Sequence, residues 1–208
     1  ARVDLPDTER QQMHFGRRAF FGYAIKNSLA YWFANVPRAA EQARGEFDTM
    51  GPGEWMAHIR ALHADNHPVI SSIFAVPPDA VGAWPIYDVP SLPAWTTSRV
   101  ALIGDAAHAA SPSAGQGASP AIEDAAVLAH ALVTEATVEA ALECFVAARK
   151  RRAEKVVALG RQIGNHKVAS PAGSMVRDLT LPMFLRMGAR ATREQYSYRV
   201  PPMAAAAS

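Results

Sequence analysis

Apolar and polar positions follow two different periods along this chain. From Met13 to Val36 they alternate, with many aromatics, which predicts two antiparallel strands joined near Lys26-Asn27-Ser28. From Gly53 to His67 the spacing is helical, with Trp55, Met56, Ile59 and Leu62 on the inward face. Val69 to Val76 is a short apolar run stopped by Pro77-Pro78 and reads as a strand. Trp84 to Asp88 reads as another strand or edge segment, and the prolines from Pro85 to Pro93 mark a crossover between two parts of the fold. Val100 to Ile103 is continuously apolar, the pattern of a strand buried on both faces. A loop follows, then a helix starting near Gly117 or Ser119 whose stripe of Ile122, Ala125, Leu128, Ala129 and Leu132 anchors it to a sheet. Thr137 to about Gly160 is helical, a further helix is expected around Leu179 to Arg190, and the Ala-rich tail from Pro201 to Ser208 is expected to fray.

Composition narrows the class. Half of the 208 residues are apolar and 19% are charged, as in ordinary globular domains. A net charge of +2 points to neither nucleic acid nor an acidic partner. The single cysteine, Cys144, excludes an intrachain disulfide and a cysteine-based zinc site, and its place in a helical pattern predicts a small buried apolar residue. With no apolar run of transmembrane length and no signal peptide, a cytoplasmic location is expected. His58, His63 and His67 with Asp65 lack a His-Glu-x-x-His pattern, and Pro68 ends the helix there, so no metal is expected. The basic run Arg149, Lys150, Arg151, Arg152 and Lys155 reads as a solvated helix face making ion pairs. Arg17 and Arg18 are adjacent in an expected strand, so one of them should point inward toward a partner.

The chemistry concentrates after Ile103. Gly104 ends the apolar run, and Asp105 follows at the strand's carboxyl end, where open α/β sheets place their ligand groups. An ionised Asp only accepts hydrogen bonds, so a sugar hydroxyl suits it. Pro112 fixes the loop path, while Gly115 and Gly117 leave backbone amides uncovered ahead of a helix start, a site for negative charge. Glu123 and Asp124 suit the positive end of that helix.

Gly104, Asp105, Ala106, His108, Pro112, Gly115, Gln116, Gly117, Glu123, Asp124 and Ala125 resemble the second FAD-binding motif of the class A flavoprotein monooxygenases, the aromatic hydroxylase family. Ser119 stands where many members carry Asn, as in branches closer to tetracycline-modifying and epoxidase-like enzymes. Residues 15–23 and 31–35 resemble a pair of substrate-domain strands in that same branch. The resemblance implies cofactor contacts at Gly104, Asp105, Pro112, Gly115, Gln116, Gly117 and Ala118, with Asp105 on the ribityl chain and the amides near Gly115, Gly117 and Ala118 on the N1/C2=O edge of the flavin. It implies substrate contacts at Arg17, Phe21, Trp32 and Pro112, a structural His108 that orders the loop, Glu123 and Asp124 as helix-start and loop-bonding groups, and no assignable catalytic side chain.

The implied activity is an FAD-dependent monooxygenase, with NAD(P)H as reductant. It would oxygenate a small aromatic or unsaturated substrate through a flavin hydroperoxide, the protein supplying orientation and a dry, polarised site. The alternatives are another flavin enzyme of the same fold, or a non-catalytic interaction module retaining it. The Gly-x-Gly-x-x-Gly that holds the ADP half of FAD is absent from the 208 residues. The chain is therefore expected to be a C-terminal portion, with the N-terminal half in the same polypeptide or a separate chain as partner. The expected fold is mixed α+β and α/β. Residues 1–93 form part of an antiparallel substrate-binding sheet, 94–133 the strand-helix segment of an FAD-binding fold, and 134–208 trailing helices and tail.

Overall fold

The computed structural model describes residues 2–38, 40–41, 43, 45–77, 81–165 and, toward the C-terminus, 173, 179–180, 193 and 196–200. The chain divides into two units, one of residues 1–85 with 166–180, the other of residues 86–165 with 181–208.

In the first unit an antiparallel sheet runs β1 (Gln12–Phe15), β2 (Phe20–Lys26), β3 (Leu29–Asn35) in that order. The sequence predicts two strands. The third arises because Arg17 and Arg18 lie in the bend between β1 and β2, not inside a strand, and both are exposed. The β2–β3 turn falls at Asn27 and Ser28, as predicted, with φ of 51° and 59°. Two left-handed residues give a hairpin whose turn matches the twist of its strands. The Asp7 carboxylate accepts from both turn amides, at 3.1 and 3.4 Å. These bonds, that of Asn27 foremost, hold the Asp7 carboxyl below its usual range.

The register pairs Phe21 with Ala34 and Tyr23 with Trp32. Alternation then places Phe21, Tyr23, Ile25, Ala30 and Trp32 on one face, where they pack with residues of α1 (Pro52–Leu62) and α2 (Pro68–Ala75). Trp55, Met56 and Ile59 are buried on α1, as their spacing predicts, and Gly51 N–H donates to Glu54 at 2.9 Å to start the helix. A strand predicted over Val69 to Val76 is instead the helix α2. Pro68 sits in its first turn, where no N–H is needed, and His67 Nδ1 accepts the Val69 N–H at 3.2 Å. Ile70, Ile73 and Phe74 then share the buried face. Short apolar runs satisfy both periods, and here the tertiary contacts decide.

The second unit holds a one-turn helix α3 (Asp105–His108), a 3-10 turn (Pro112–Ala114), α4 (Ala118–Thr134) and α5 (Val138–Asn165). The predicted strand at Val100 to Ile103 is reduced to a single antiparallel bridge, Thr96 to Ala101, with Val100 53% and Ile103 39% exposed. Among the described residues no further strand lies beside it, so the apolar run has no sheet to be buried in. Trp84 to Asp88 likewise forms no strand, and Trp84, Ile86 and Tyr87 are exposed.

Helices α4 and α5 pack on one another, joined by residues 135–137, with Thr137 Oγ1 accepting the Ala140 N–H at 3.2 Å. The face α4 buries is Pro120, Asp124, Val127 and Ala131, not the predicted stripe. Ile122, Ala125, Ala129 and Leu132 are exposed, because α5 covers the adjacent face. On α5, Leu142, Phe145, Arg149, Ala153 and Val156 are buried, and Cys144, predicted buried, is exposed between Leu142 and Phe145. The core of this unit is Trp95, Ala107, Val127, Phe145 and Ala153. The helix predicted around Leu179 to Arg190 lies almost entirely outside the described residues, as does the tail. No helix among the described residues is long and apolar enough to cross a membrane.

Candidate cofactor site

Gly104 has φ +58°, and a Cβ on it would lie 3.1 Å from that of Ala121. Only glycine holds this conformation at that distance from α4. Its carbonyl accepts from the Ala107 and His108 amides, each at 2.9 Å, which closes α3. Asp105, the first residue of that turn, is exposed, whereas Ala107 and His108 are buried.

The turn is held from behind by Asp124 of α4, whose side chain has no exposed surface. Oδ2 accepts the Gly104 N–H at 2.9 Å and lies 2.6 Å from His108 Nε2. Oδ1 accepts Arg149 Nε at 2.8 Å. Burial works to raise the Asp124 pKa, but the bonds from His108, Gly104 N–H and Arg149 prevail, and the carboxyl is held below its usual range. Arg149 is fully buried too. Burial disfavours its charge, yet Asp124 and Glu123 outweigh this and raise its pKa. Its Nη1 lies 2.6 Å from Glu123 Oε2 but off the line of an N–H bond, so that contact is ionic. Glu123 also takes a two-pronged bond from Arg152, at 2.7 and 2.6 Å, and the Tyr198 ring lies 3.8 Å from the Arg152 guanidinium.

After α3 the chain turns through Ser111, whose Oγ accepts the Ser113 N–H, into the 3-10 turn and Gly115, which has φ 63°. Pro112, Gly115, Gly117 and Ala118 are exposed and Gln116 is buried. The loop rests on α5 at Gly160, where a Cβ would lie 3.1 Å from that of Ala114 and 3.3 Å from the Ser111 carbonyl. No side chain caps the start of α4 at Gly117, and a Cβ there would meet nothing within 4 Å. The predicted cofactor residues thus belong to one short stretch with two exposed elements, a carboxylate and an uncapped helix start. That donor set fits FAD: Asp105 can accept from a ribityl hydroxyl, and the amides of Gly117 and Ala118 suit the anionic edge of the ring, whereas the Gly115 amide, predicted uncovered, is taken by the Pro112 carbonyl at 3.0 Å because the 3-10 turn closes on it.

Among the predicted substrate residues, Arg17 is exposed, Phe21 is fully buried and Trp32 is half-buried, stacked on Phe21 with centroids 5.8 Å apart. The opposite sheet face presents Tyr31 and Phe33, 63% and 37% exposed. Sequence reasoning missed Arg149, read as part of a solvated face. Its spacing from Leu142, Phe145, Ala153 and Val156 places it on the buried stripe of α5, and that was the available signal.

Residues 36–159 match the family described as FAD binding domain. The aurachin C monooxygenase/isomerase of Stigmatella aurantiaca is 36% identical over 140 residues, spanning 67% of this chain and 35% of that protein. The 6-hydroxynicotinate 3-monooxygenase of Bordetella bronchiseptica is 42% identical over 72 residues, 35% of this chain and 18% of its own. The fold of HpxO from Klebsiella pneumoniae, solved with FAD and uric acid, superposes with a TM-score of 0.71 at 24% identity, over 90% of this chain and 47% of that one. The chain belongs to the FAD-binding-domain family of the class A flavoprotein monooxygenases.

Proposed function

We propose that this chain is part of an FAD-dependent monooxygenase that takes reducing equivalents from NAD(P)H and inserts one oxygen atom of O2 into a small aromatic or unsaturated molecule. The observation that carries the reading is the pairing of exposed Asp105 with the uncapped, open start of α4 in one stretch of the second unit. Family membership and the monooxygenase activities for which the relatives are named support it. FAD, when bound, supplies the electron transfer and oxygen activation that no side chain can. The chain's own residues do the rest. Asp105 binds the sugar-alcohol arm. The amides at Gly117 and Ala118 offer fixed positive dipoles to the edge that becomes anionic on reduction, a preorganised stabilisation with little reorganisation cost, while the Gly115 N–H closes the turn on the Pro112 carbonyl. Gly104 and Gln116 shape the backbone that presents them, and Pro112 limits its movement. Substrate positions are assigned in each unit by itself: Arg17 as an exposed cation and Trp32 backed by Phe21 in the first, Pro112 in the second.

The test is FAD titration of the apoprotein with and without Asp105→Ala. Loss of one charged hydrogen bond predicts roughly tenfold to a hundredfold weaker binding. Unchanged affinity would remove Asp105 from the site. Oxygen-consuming NAD(P)H oxidation stimulated by a small aromatic compound is expected of the holoprotein. Its absence across a panel of such compounds would leave the non-catalytic reading standing.

A further inference from the structure

Asp105 is exposed on a turn of only four residues, too short to hold its own orientation. What fixes it lies behind it. The two partners of Asp124 Oδ2, the Gly104 N–H and the His108 ring, stand immediately before and three residues after Asp105, so one carboxylate oxygen grips both ends of the turn. Its other oxygen is held by Arg149. The same guanidinium donates from Nη2 to the Pro120 carbonyl at 3.3 Å, in the first turn of α4 and close to the amides of Gly117 and Ala118. Asp124 and Arg149 have no exposed surface, so water does not replace these bonds.

We propose that Arg149, acting through Asp124, is a positioning residue for the cofactor: it aligns the Asp105 turn with the start of α4 and touches no ligand itself. The proposal rests on the assignment of Asp105 to FAD. A planar fork suits the task, since one cation serves Asp124, the Pro120 carbonyl and Glu123 at once. An ammonium keeps the charge but not that geometry.

The experiment compares Arg149→Lys, Asp105→Ala, the double variant and Arg152→Lys in the whole FAD-binding protein, by FAD titration of apoprotein and visible circular dichroism of the saturated holoprotein. Arg149→Lys is expected to weaken FAD binding about tenfold and to move the flavin dichroism toward that of Asp105→Ala. On the Asp105→Ala background it should add less than about twofold, because the group it aligns is gone. Arg152→Lys, which disturbs Glu123 but not the turn, should lower the melting temperature and leave FAD affinity unchanged. Asp124→Asn, of the same shape, should behave as Arg149→Lys does, and it serves if that variant does not fold. The proposal is overturned if Arg149→Lys binds FAD normally while Asp105→Ala does not, or if the two losses multiply. If Asp105→Ala binds FAD normally, the assignment of Asp105 falls and takes the proposal with it, a failure distinct from the first two.

Discussion

His63 shows how one residue's surroundings set its chemistry. It is 2% exposed, ringed by Phe21 and Phe74, with Asn66 at Nδ1 and no hydrogen-bond partner at Nε2. Burial, aided by His14, pushes its pKa down to about 4. Between 6.5 and about 4 the unfolded chain takes up a proton that the folded chain does not. Stability conferred by the neutral ring is therefore complete above pH 6.5 and is lost as pH falls toward 4, on the order of 3 kcal/mol. His63→Leu should flatten this acid limb in urea denaturation series between pH 7 and 4. An unchanged slope would show that His63 is not its source.

At the scale of elements, the contact of α5 with the loop ahead of Gly115 depends on Gly160. The distances of 3.1 and 3.3 Å to Ala114 and the Ser111 carbonyl leave no room for a branched side chain. Gly160→Val should cost about 1–3 kcal/mol by overpacking, despite removing a glycine from a helix. It should also weaken FAD binding, since the displaced loop leads into the amides at Gly117 and Ala118. Urea denaturation and FAD titration of one preparation check both outcomes, and a variant with wild-type stability would mean the loop simply moves aside. Where local signals were strong the elements followed sequence: the turn predicted at Lys26-Asn27-Ser28 falls at Asn27 and Ser28, and the helix predicted over Gly53 to His67 is α1, Pro52–Leu62. They failed where an apolar run was short, as at Val69 to Val76, because eight residues fit either period and the partner surface chooses.

At the scale of the whole molecule, the two units carry different acid-sensitive groups. His63, in the first, loses its contribution between pH 6.5 and about 4. Asp124, in the second, has a lowered carboxyl pKa, so its contribution is intact above 3.8 and is lost only as pH falls below that. Hydrogen exchange at stepped pH should therefore show protection failing first in α1 and α2, while α4 and α5 hold until lower pH. Simultaneous loss would contradict independent acid responses.

The sequence by itself determined which stretch to propose for the cofactor, Gly104 to Ala118, because a turn, an acidic side chain and glycines ahead of a helix start are properties of local residue order. It also determined the family, since that order is specific. The tertiary structure alone decided which residues stand behind the stretch. Whether Asp124 faces solvent or Gly104, and whether Arg149 is a surface charge or the fully buried partner of that carboxylate, depends on the face of α4 that α5 covers. The pairing of two helix faces is a property of the packed chain, and no local pattern contains it.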